Sequence, residues 1–244
     1  MQEAELQDAE ELIRWSADRF QNRVALVTSF QHEGMVILDM AARLAPAIPV
    51  FTLDTGRLPE TTYHMMETVR ERYGIAVKII FPDTEETARM TTAHGPNLFR
   101  TDADSRLLCC RIRKVRPLTK AMAGFDATLV GLRREKSETR AGLQQVDWHE
   151  APAKIAPLAG WSAAEVARYT ALHGVPEHPL YLKGYSSIGC NPCTRAVQAG
   201  EDERAGRWWW EDDAAKECGL HFTADGRARR RVDVLLEEVL ANRA

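Results

Sequence analysis

Four short apolar runs constrain this 244-residue chain more than any other feature: VALVTSF (24–30), PVFTLDT (49–55), VKIIFPD (77–83) and ATLVGL (127–132). Runs of that length, rich in β-branched residues, read as buried strands. Between them lie MVILDMAARLA, PETTYHMMETVRERYG and residues 84–93 and 106–123, all with apolar positions at helical spacing. Alternation of strand and helix needs crossover connections, hence a mostly parallel sheet with helices on both faces. LQDAEELIRWSADRF reads as an amphipathic helix ahead of the first strand. Pro59 suits a helix start, Gly74 a helix C-cap, and Pro117 a kink or break within 106–123. After residue 145 the pattern loosens. VDWHE and KIAPLAGW look like short extended pieces, Ser162 and Glu165 form a capping box before AAEVARYTALHG, and a last helix begins near RARRRVDVLLEEVL. The reading gives an α/β body over residues 1–205 and a mobile C-terminal tail over 206–244.

Ligands in such sheets bind beyond the carboxyl ends of the strands. Here those ends carry SFQHEG, LDTGR, FPD and GLRREKSETR, all polar and the last strongly basic. SFQHEG runs from a strand into a helix, so Ser29 and the loop amides can meet an anion at a helix N-terminus. It lacks the glycine and lysine pattern of a Walker loop. Arg133, Arg134, Lys136 and Arg140, with Ser137 and Thr139, form a dense anion-binding set. Arginine suits phosphate and sulfate through its forked donors.

The five cysteines divide as four plus one: Cys109 and Cys110 side by side, Cys190 and Cys193 in GCNPC, and Cys218 in KECGLH. The N-terminus lacks the basic start and apolar run of a secretory signal, and no apolar stretch is long enough to span a bilayer. A cytoplasmic chain keeps its thiols reduced, so a cysteine group points to metal or catalysis rather than to disulfides. Four thiolates suit a [4Fe–4S] cluster or a Cys₄ zinc site. Adjacent cysteines are awkward ligands for one tetrahedral ion, which favours the cluster. Arg111, Arg113, Lys114 and Arg116 follow the pair and would offset an anionic cluster or hold an anionic substrate beside it. Cys218 stands apart, among polar residues and three positions before His221, as suits a nucleophile that enters and leaves a site. The net charge of −3 gives no hint of nucleic acid. RARRR (227–231) reads as a solvated helix start, and Trp208–Trp210 as packing rather than a base-stacking platform.

Taken in order, SFQHEG, LDTGRLPET, CCRIRKVRPL, GLRREKSETR, GCNPC and KECGLH resemble the assimilatory adenylyl-sulfate reductase family, within the phosphoadenylyl-sulfate reductase group. The resemblance runs from about residue 24 to 221. It implies a fold similar to the adenine nucleotide alpha hydrolase and ATP-pyrophosphatase enzymes. It implies Cys109, Cys110, Cys190 and Cys193 as ligands of a [4Fe–4S] cluster and Cys218 as nucleophile. Adenylyl sulfate would be bound by Ser29, Phe30, Glu33 and Gly34 of SFQHEG and by Leu53, Asp54, Thr55, Gly56 and Arg57 of LDTGR. Lys114, Arg133, Arg134, Ser137, Arg140 and His221 complete the implied set. Gly34 stands where many relatives carry an acidic or small polar residue. In the implied reaction Cys218 attacks sulfur, AMP leaves, and thioredoxin or a glutaredoxin-like dithiol releases sulfite from the Cys S-sulfonate. No nucleic acid or membrane partner is implied, and family members often form dimers or tetramers. The full cysteine set points to adenylyl sulfate, with phosphoadenylyl sulfate, alone or in addition, as the alternative. An iron–sulfur tRNA thiolase would carry an SGGxDS loop, which SFQHEG is not. A non-catalytic Cys₄ redox sensor has no need of Cys218 or of an arginine-rich strand end.

Overall fold

The computed structural model describes residues 9–137, 140–211 and 226–241, with residues 226–230 described by their backbone alone. Six strands form one sheet: β1 (Val24–Val27), β2 (Val50–Leu53), β3 (Lys78–Ile80), β4 (Ala127–Val130), β5 (Val146–Asp147) and β6 (Ala153–Ile155). Their spatial order is β3-β2-β1-β4-β6-β5, parallel except for the antiparallel edge strand β5. The chain therefore builds outward from β1 to β3, then crosses back and builds the other way from β4. VDWHE and KIAPLAGW, each read as extended, supply the β5–β6 pair.

Helices α1 (Ala9–Phe20), α2 (His32–Leu44), α3 (Glu60–Tyr73) and α7 (Ala163–His173) share the main core with β1, β2 and β4. MVILDMAARL is apolar nearly all round because α2 is covered on nearly every side: residues 33–41 are all buried. Of its two buried carboxylates, Asp39 accepts hydrogen bonds from Tyr73 at 3.0 Å and Tyr169 at 2.8 Å, so its burial leaves no unmet polar group. Gly74 ends α3 at φ +66°, a conformation that costs a residue without Cβ nothing. The Ser162–Glu165 capping box opens α7 with both of its reciprocal bonds in place.

Over the opposite face, α6 (Arg116–Met122) lays Leu118 and Met122 on Ala25, Phe51 and Ile80. It continues from α5 (Ala103–Cys110) through one wide π turn, Arg111–Val115. Pro117 was expected to kink or break this segment, yet the helical path runs through it. Proline has no N–H for the carbonyl four residues back, and its ring crowds that carbonyl. The extra residue of the π turn, where the Arg116 N–H reaches back to the Arg111 carbonyl, lies just upstream and absorbs the misfit. A further cluster joins Met90 of α4 (Thr84–His94), Leu108 of α5 and Ile112 to Leu236 and Val239 of α8 (Gly226–Ala241). No helix among the described residues is long and apolar enough to cross a membrane.

Candidate active site

The two outward-building halves of the sheet part between β1 and β4, where loops diverge and leave a crevice. A cavity of about 350 Å³ opens there. Ser29 and Gln31 line it from the β1–α2 loop, Glu33 and Gly34 from the first turn of α2, Leu53 and Thr55 from the end of β2, and Gly131 and Leu132 from the end of β4. The β1–α2 loop turns sharply: Phe30 takes φ +57°, steadied by its N–H donating to Thr28 Oγ1 at 3.0 Å. The start of α2 then passes so near β4 that a Cβ on Gly131 would lie 2.7 Å from the Gly34 nitrogen, and one on Gly34 would overlap Thr28 Oγ1. Glycine at 131 allows the approach to β4, and glycine at 34 makes room for Thr28.

Six cations line the same cavity: Lys114 from the π turn, Lys136 and Arg140 after β4, Lys154 of β6, and Arg204 and Arg207 beyond the second cysteine pair. Glu33 is the anchor of this wall. Its buried carboxylate accepts from Lys136 Nζ on both oxygens, at 2.9 and 3.1 Å, and from Arg133 Nε at 2.9 Å. Burial alone would raise the Glu33 pKa; the Lys136 and Arg133 charges outweigh it and hold the carboxyl at about 2.

Several residues expected on the substrate do other work. The Phe30 side chain is fully buried in the main core, so only its backbone shapes the loop. Arg133 is buried and divided between Glu33 and Glu135, and Arg134 donates to the Leu143 carbonyl at 2.7 Å; neither lines the cavity. Asp54 accepts from the Gly56 N–H at 2.7 Å and from Tyr63 at 2.9 Å, which folds the LDTGR turn. Gly56 sits in that turn beside the Arg113 guanidinium. Arg57 reaches away to Asn97 at 3.0 Å and over the Phe99 ring. Ser137 accepts from the Arg140 N–H through its carbonyl at 2.9 Å and is also off the cavity wall. Ser29, Glu33, Gly34, Leu53, Thr55, Lys114 and Arg140 do line it. Cys218 and His221 lie outside the described residues. Sequence reasoning missed Gln31, Gly131, Arg204 and Arg207. For the two arginines the one available signal was their position between the CxxC pair and the Trp triplet.

Cys109 ends α5 with Cys110, and Cys190 and Cys193 flank a short 3₁₀ turn. Cys109, Cys190 and Cys193 pack with Phe99, Trp208 and Trp210, and Cys110 is buried beside them in sequence. The turn carrying Cys190 is tied to the LDTGR segment: Thr55 Oγ1 lies 3.2 Å from Cys190 Sγ, and the Asn191 N–H donates to the Arg57 carbonyl at 2.8 Å. Arg113 donates to the Thr55 carbonyl at 2.7 Å from the other side. Burial pushes the Cys109 thiol up, and burial together with the Cys190 charge pushes Cys193 up to about 12. Cys190 goes the other way: burial opposes ionisation, but Lys114 and Thr55 overcome it. Trp208 is 1% exposed, held between the guanidinium groups of Arg106 and Arg207, each 4.5 Å from its ring centre. It is packing, as the sequence suggested. Among the described residues no three Cys, His, Asp or Glu side chains converge into a group able to hold a metal ion. Yet three buried donors in this neighbourhood, Trp208 Nε1, Trp210 Nε1 and Arg207 Nε, have no partner. Buried N–H groups without acceptors, grouped with thiols and cations, fit an anionic metal–sulfur group better than an apolar core.

A family model described as the phosphoadenosine phosphosulfate reductase domain matches residues 23–196. An adenosine 5'-phosphosulfate reductase of Burkholderia cepacia is 44% identical over 204 residues, covering 83% of this chain and 82% of that one. Among solved structures, a phosphoadenylyl-sulfate reductase from Candida auris, in a phosphate complex, superposes with a TM-score of 0.64 at 29% identity, over 78% of this chain and 90% of that one. A Candida glabrata FMN adenylyltransferase, only 12% identical, shares the fold at a TM-score of 0.55 over 91% of this chain and 80% of its own.

Proposed function

The chain belongs to the phosphoadenosine phosphosulfate reductase domain family, and from that premise we propose that it reduces adenylyl sulfate to sulfite and AMP in sulfate assimilation, drawing electrons from a thioredoxin- or glutaredoxin-like dithiol in the cytoplasm. One observation carries the reading: the cation-lined cavity at the sheet's switch point also reaches Cys190, so the anion site and the cysteine site share a wall. Adenylyl sulfate is an anion at both its phosphate and its sulfate. The reacting sulfur is shielded by negative oxygens, so a thiolate reaches it only where fixed cations screen them. Lys114, Lys136, Arg140, Arg204 and Arg207 supply that screen.

The nucleophile of this reading is Cys218. Its thiolate attacks the sulfate sulfur, a new S–S bond forms, and the S–O bond to the nucleotide breaks with its electron pair leaving on AMP. One thiolate of the dithiol then attacks Cys218 Sγ and expels sulfite, leaving a mixed disulfide. The second thiol displaces Cys218, and the dithiol ends as a disulfide, two electrons poorer. Cys109, Cys110, Cys190 and Cys193 would hold a [4Fe–4S] cluster, which would supply fixed charge to the site rather than electrons. Lys114 links the two sites, lining the cavity while its charge acts on Cys190.

The test is sulfite release by anaerobically purified protein with reduced thioredoxin, given adenylyl sulfate and phosphoadenylyl sulfate side by side. The expected result is strong preference for adenylyl sulfate, and loss of sulfite with iron content retained in Cys218→Ser. No sulfite from either substrate, with iron intact, would overturn the reading in favour of a redox sensor.

A further inference from the structure

Gln31 ties the β1–α2 loop to the segment that leads into the second cysteine pair. It stands at the N-cap of α2, yet its side chain caps nothing in that helix. Instead its Oε1 accepts from the Ile188 N–H at 2.9 Å, and its Nε2 donates to Ser29 Oγ at 2.9 Å. All three residues line the cavity. Ile188 is buried and stands two residues before Cys190. Its surroundings are fixed without help from the loop. The Gly189 N–H donates to Thr194 Oγ1 at 3.2 Å, Thr194 Oγ1 donates to the Cys190 carbonyl at 3.0 Å, and Arg207 Nη1 donates to Ser187 Oγ at 3.3 Å. The Ile188 N–H therefore has a set direction, and it dictates which end of the Gln31 amide faces it. A donor needs the carbonyl oxygen, so the NH₂ group is left for Ser29.

This arrangement sets the polarity of Ser29. The amide N–H fills a lone pair on Oγ, so the hydroxyl's own hydrogen is turned away from Gln31. That hydrogen meets no acceptor among the described residues, and Ser29 is exposed on the cavity wall. We propose that Gln31 is a positioning residue for nucleotide binding: locked by the Ile188 N–H, it commits the Ser29 hydroxyl to donate into the cavity, to the 5′-phosphate that AMP and adenylyl sulfate share. The inference rests on the reading of the cavity as a site for adenylyl sulfate. A serine without such a partner turns its hydrogen freely and for part of the time presents only lone pairs to the anion, which repel it. A serine held by an amide N–H already has a lone pair occupied and keeps its hydrogen for the ligand. Gln31 therefore acts on the phosphate through Ser29, and on the nucleoside not at all.

The test uses the full chain, purified anaerobically, with AMP and adenosine as probes in titration calorimetry. Gln31→Met keeps the length of the side chain and removes both of its hydrogen bonds; Ser29→Ala and the double variant complete a cycle. Loss of a hydrogen bond to a charged phosphate sets the scale, so Ser29→Ala should weaken AMP about tenfold. Gln31→Met should weaken AMP about fivefold when Ser29 is present and by less than about 1.5-fold in the Ser29→Ala background. Adenosine, which has no phosphate, should bind all four chains alike. Equal weakening of AMP in both backgrounds, or weakening of adenosine along with AMP, would mean that Gln31 only holds the Ile188 segment in place, and would overturn the proposal. So would AMP bound as tightly by Gln31→Met, or by Ser29→Ala, as by the parent. A parent chain that binds neither AMP nor adenosine would instead overturn the reading of the cavity as an adenylyl-sulfate site, and this proposal with it.

Discussion

Replacing Glu33 with Gln keeps the shape of the side chain and removes the charge that three donor contacts converge on. Arg133 and Lys136, with side chains 4% and 7% exposed, would then face each other with little compensation. Glu135 remains on Arg133, but its own side chain is 60% exposed and screened by water. Removing one partner of a buried ion pair costs about 3–5 kcal/mol. For a chain of this size each kcal/mol lowers Tm by about 2–4 °C, so a fall of about 10 °C is expected at neutral pH. The pH dependence gives a second, independent sign. Glu33 is held at about 2 in the folded protein, against an ordinary value of 4.5. A depressed carboxyl pKa stabilises the fold fully above the unfolded value and loses that stabilisation as pH falls towards the folded one. The shift corresponds to about 3 kcal/mol, more than half of it gone by about pH 3. Thermal melts of parent and Glu33→Gln, followed by circular dichroism at pH 7.5, 5 and 3, should show a gap that is constant down to about pH 5 and then narrows. Equal Tm values at pH 7.5, or a gap that stays the same at pH 3, would refute the assignment of Glu33 as the ionised anchor of the cavity wall.

His178 is fully buried, its Nδ1 accepting from the Leu180 N–H at 3.2 Å and its Nε2 lying 3.1 Å from Thr62 Oγ1, a pattern that requires the neutral ring. Burial, and then the His32 charge, lower its pKa to about 4 from 6.5. The unfolded chain thus binds a proton here that the folded one refuses, so stability is complete above about pH 6.5 and falls as pH drops towards 4. Urea unfolding at pH 7 and pH 5 should show that His178→Asn removes this part of the acid sensitivity; identical pH dependence in parent and variant would count against it. Gly131→Ala places a methyl 2.7 Å from the Gly34 nitrogen and 3.1 Å from the Glu33 carbonyl carbon. It should push α2 from the end of β4, costing about 1–3 kcal/mol in urea unfolding and weakening AMP binding by calorimetry. A variant as stable and as tight as the parent would mean that the close approach is not needed.

The sheet was legible because its signal is the oldest kind: short β-branched runs separated by helical periods. What blurred the strand ends was local chemistry. VALVTSF reads as a strand through Phe30, yet the ladder stops at Val27 because Thr28 Oγ1 captures the Phe30 N–H and turns the chain. The π turn at Arg111–Val115 left no mark in the apolar spacing, since one extra residue in a helix shifts the pattern less than the scatter of real sequences. Pro117 was the visible symptom, and it sits one turn downstream of the accommodation. The anchoring of the C-terminal residues was illegible for a different reason. The Arg106–Glu211 pair and the Leu236 contacts join positions more than a hundred residues apart, and nothing local announces them.

The basic run after β4 shows most clearly where reading from sequence stops. GLRREKSETR offers four cations at one strand end, and by charge and position they are equivalent. The fold makes them unequal through a single carboxylate one hundred residues earlier. Glu33 takes Arg133 out of the site and pins Lys136 at its edge, the Leu143 carbonyl draws Arg134 outward, and Arg140 is left on the cavity wall. Further positive charge comes from Lys114, Lys154, Arg204 and Arg207, all outside that run, and Arg207 stacks on Trp208, which packs beside the cysteines. A site that holds an anionic ester needs cations that face its cavity, since a cation drawn away from it screens little. Which cations those are is decided by where each side chain is drawn, and that is a property of the folded chain alone.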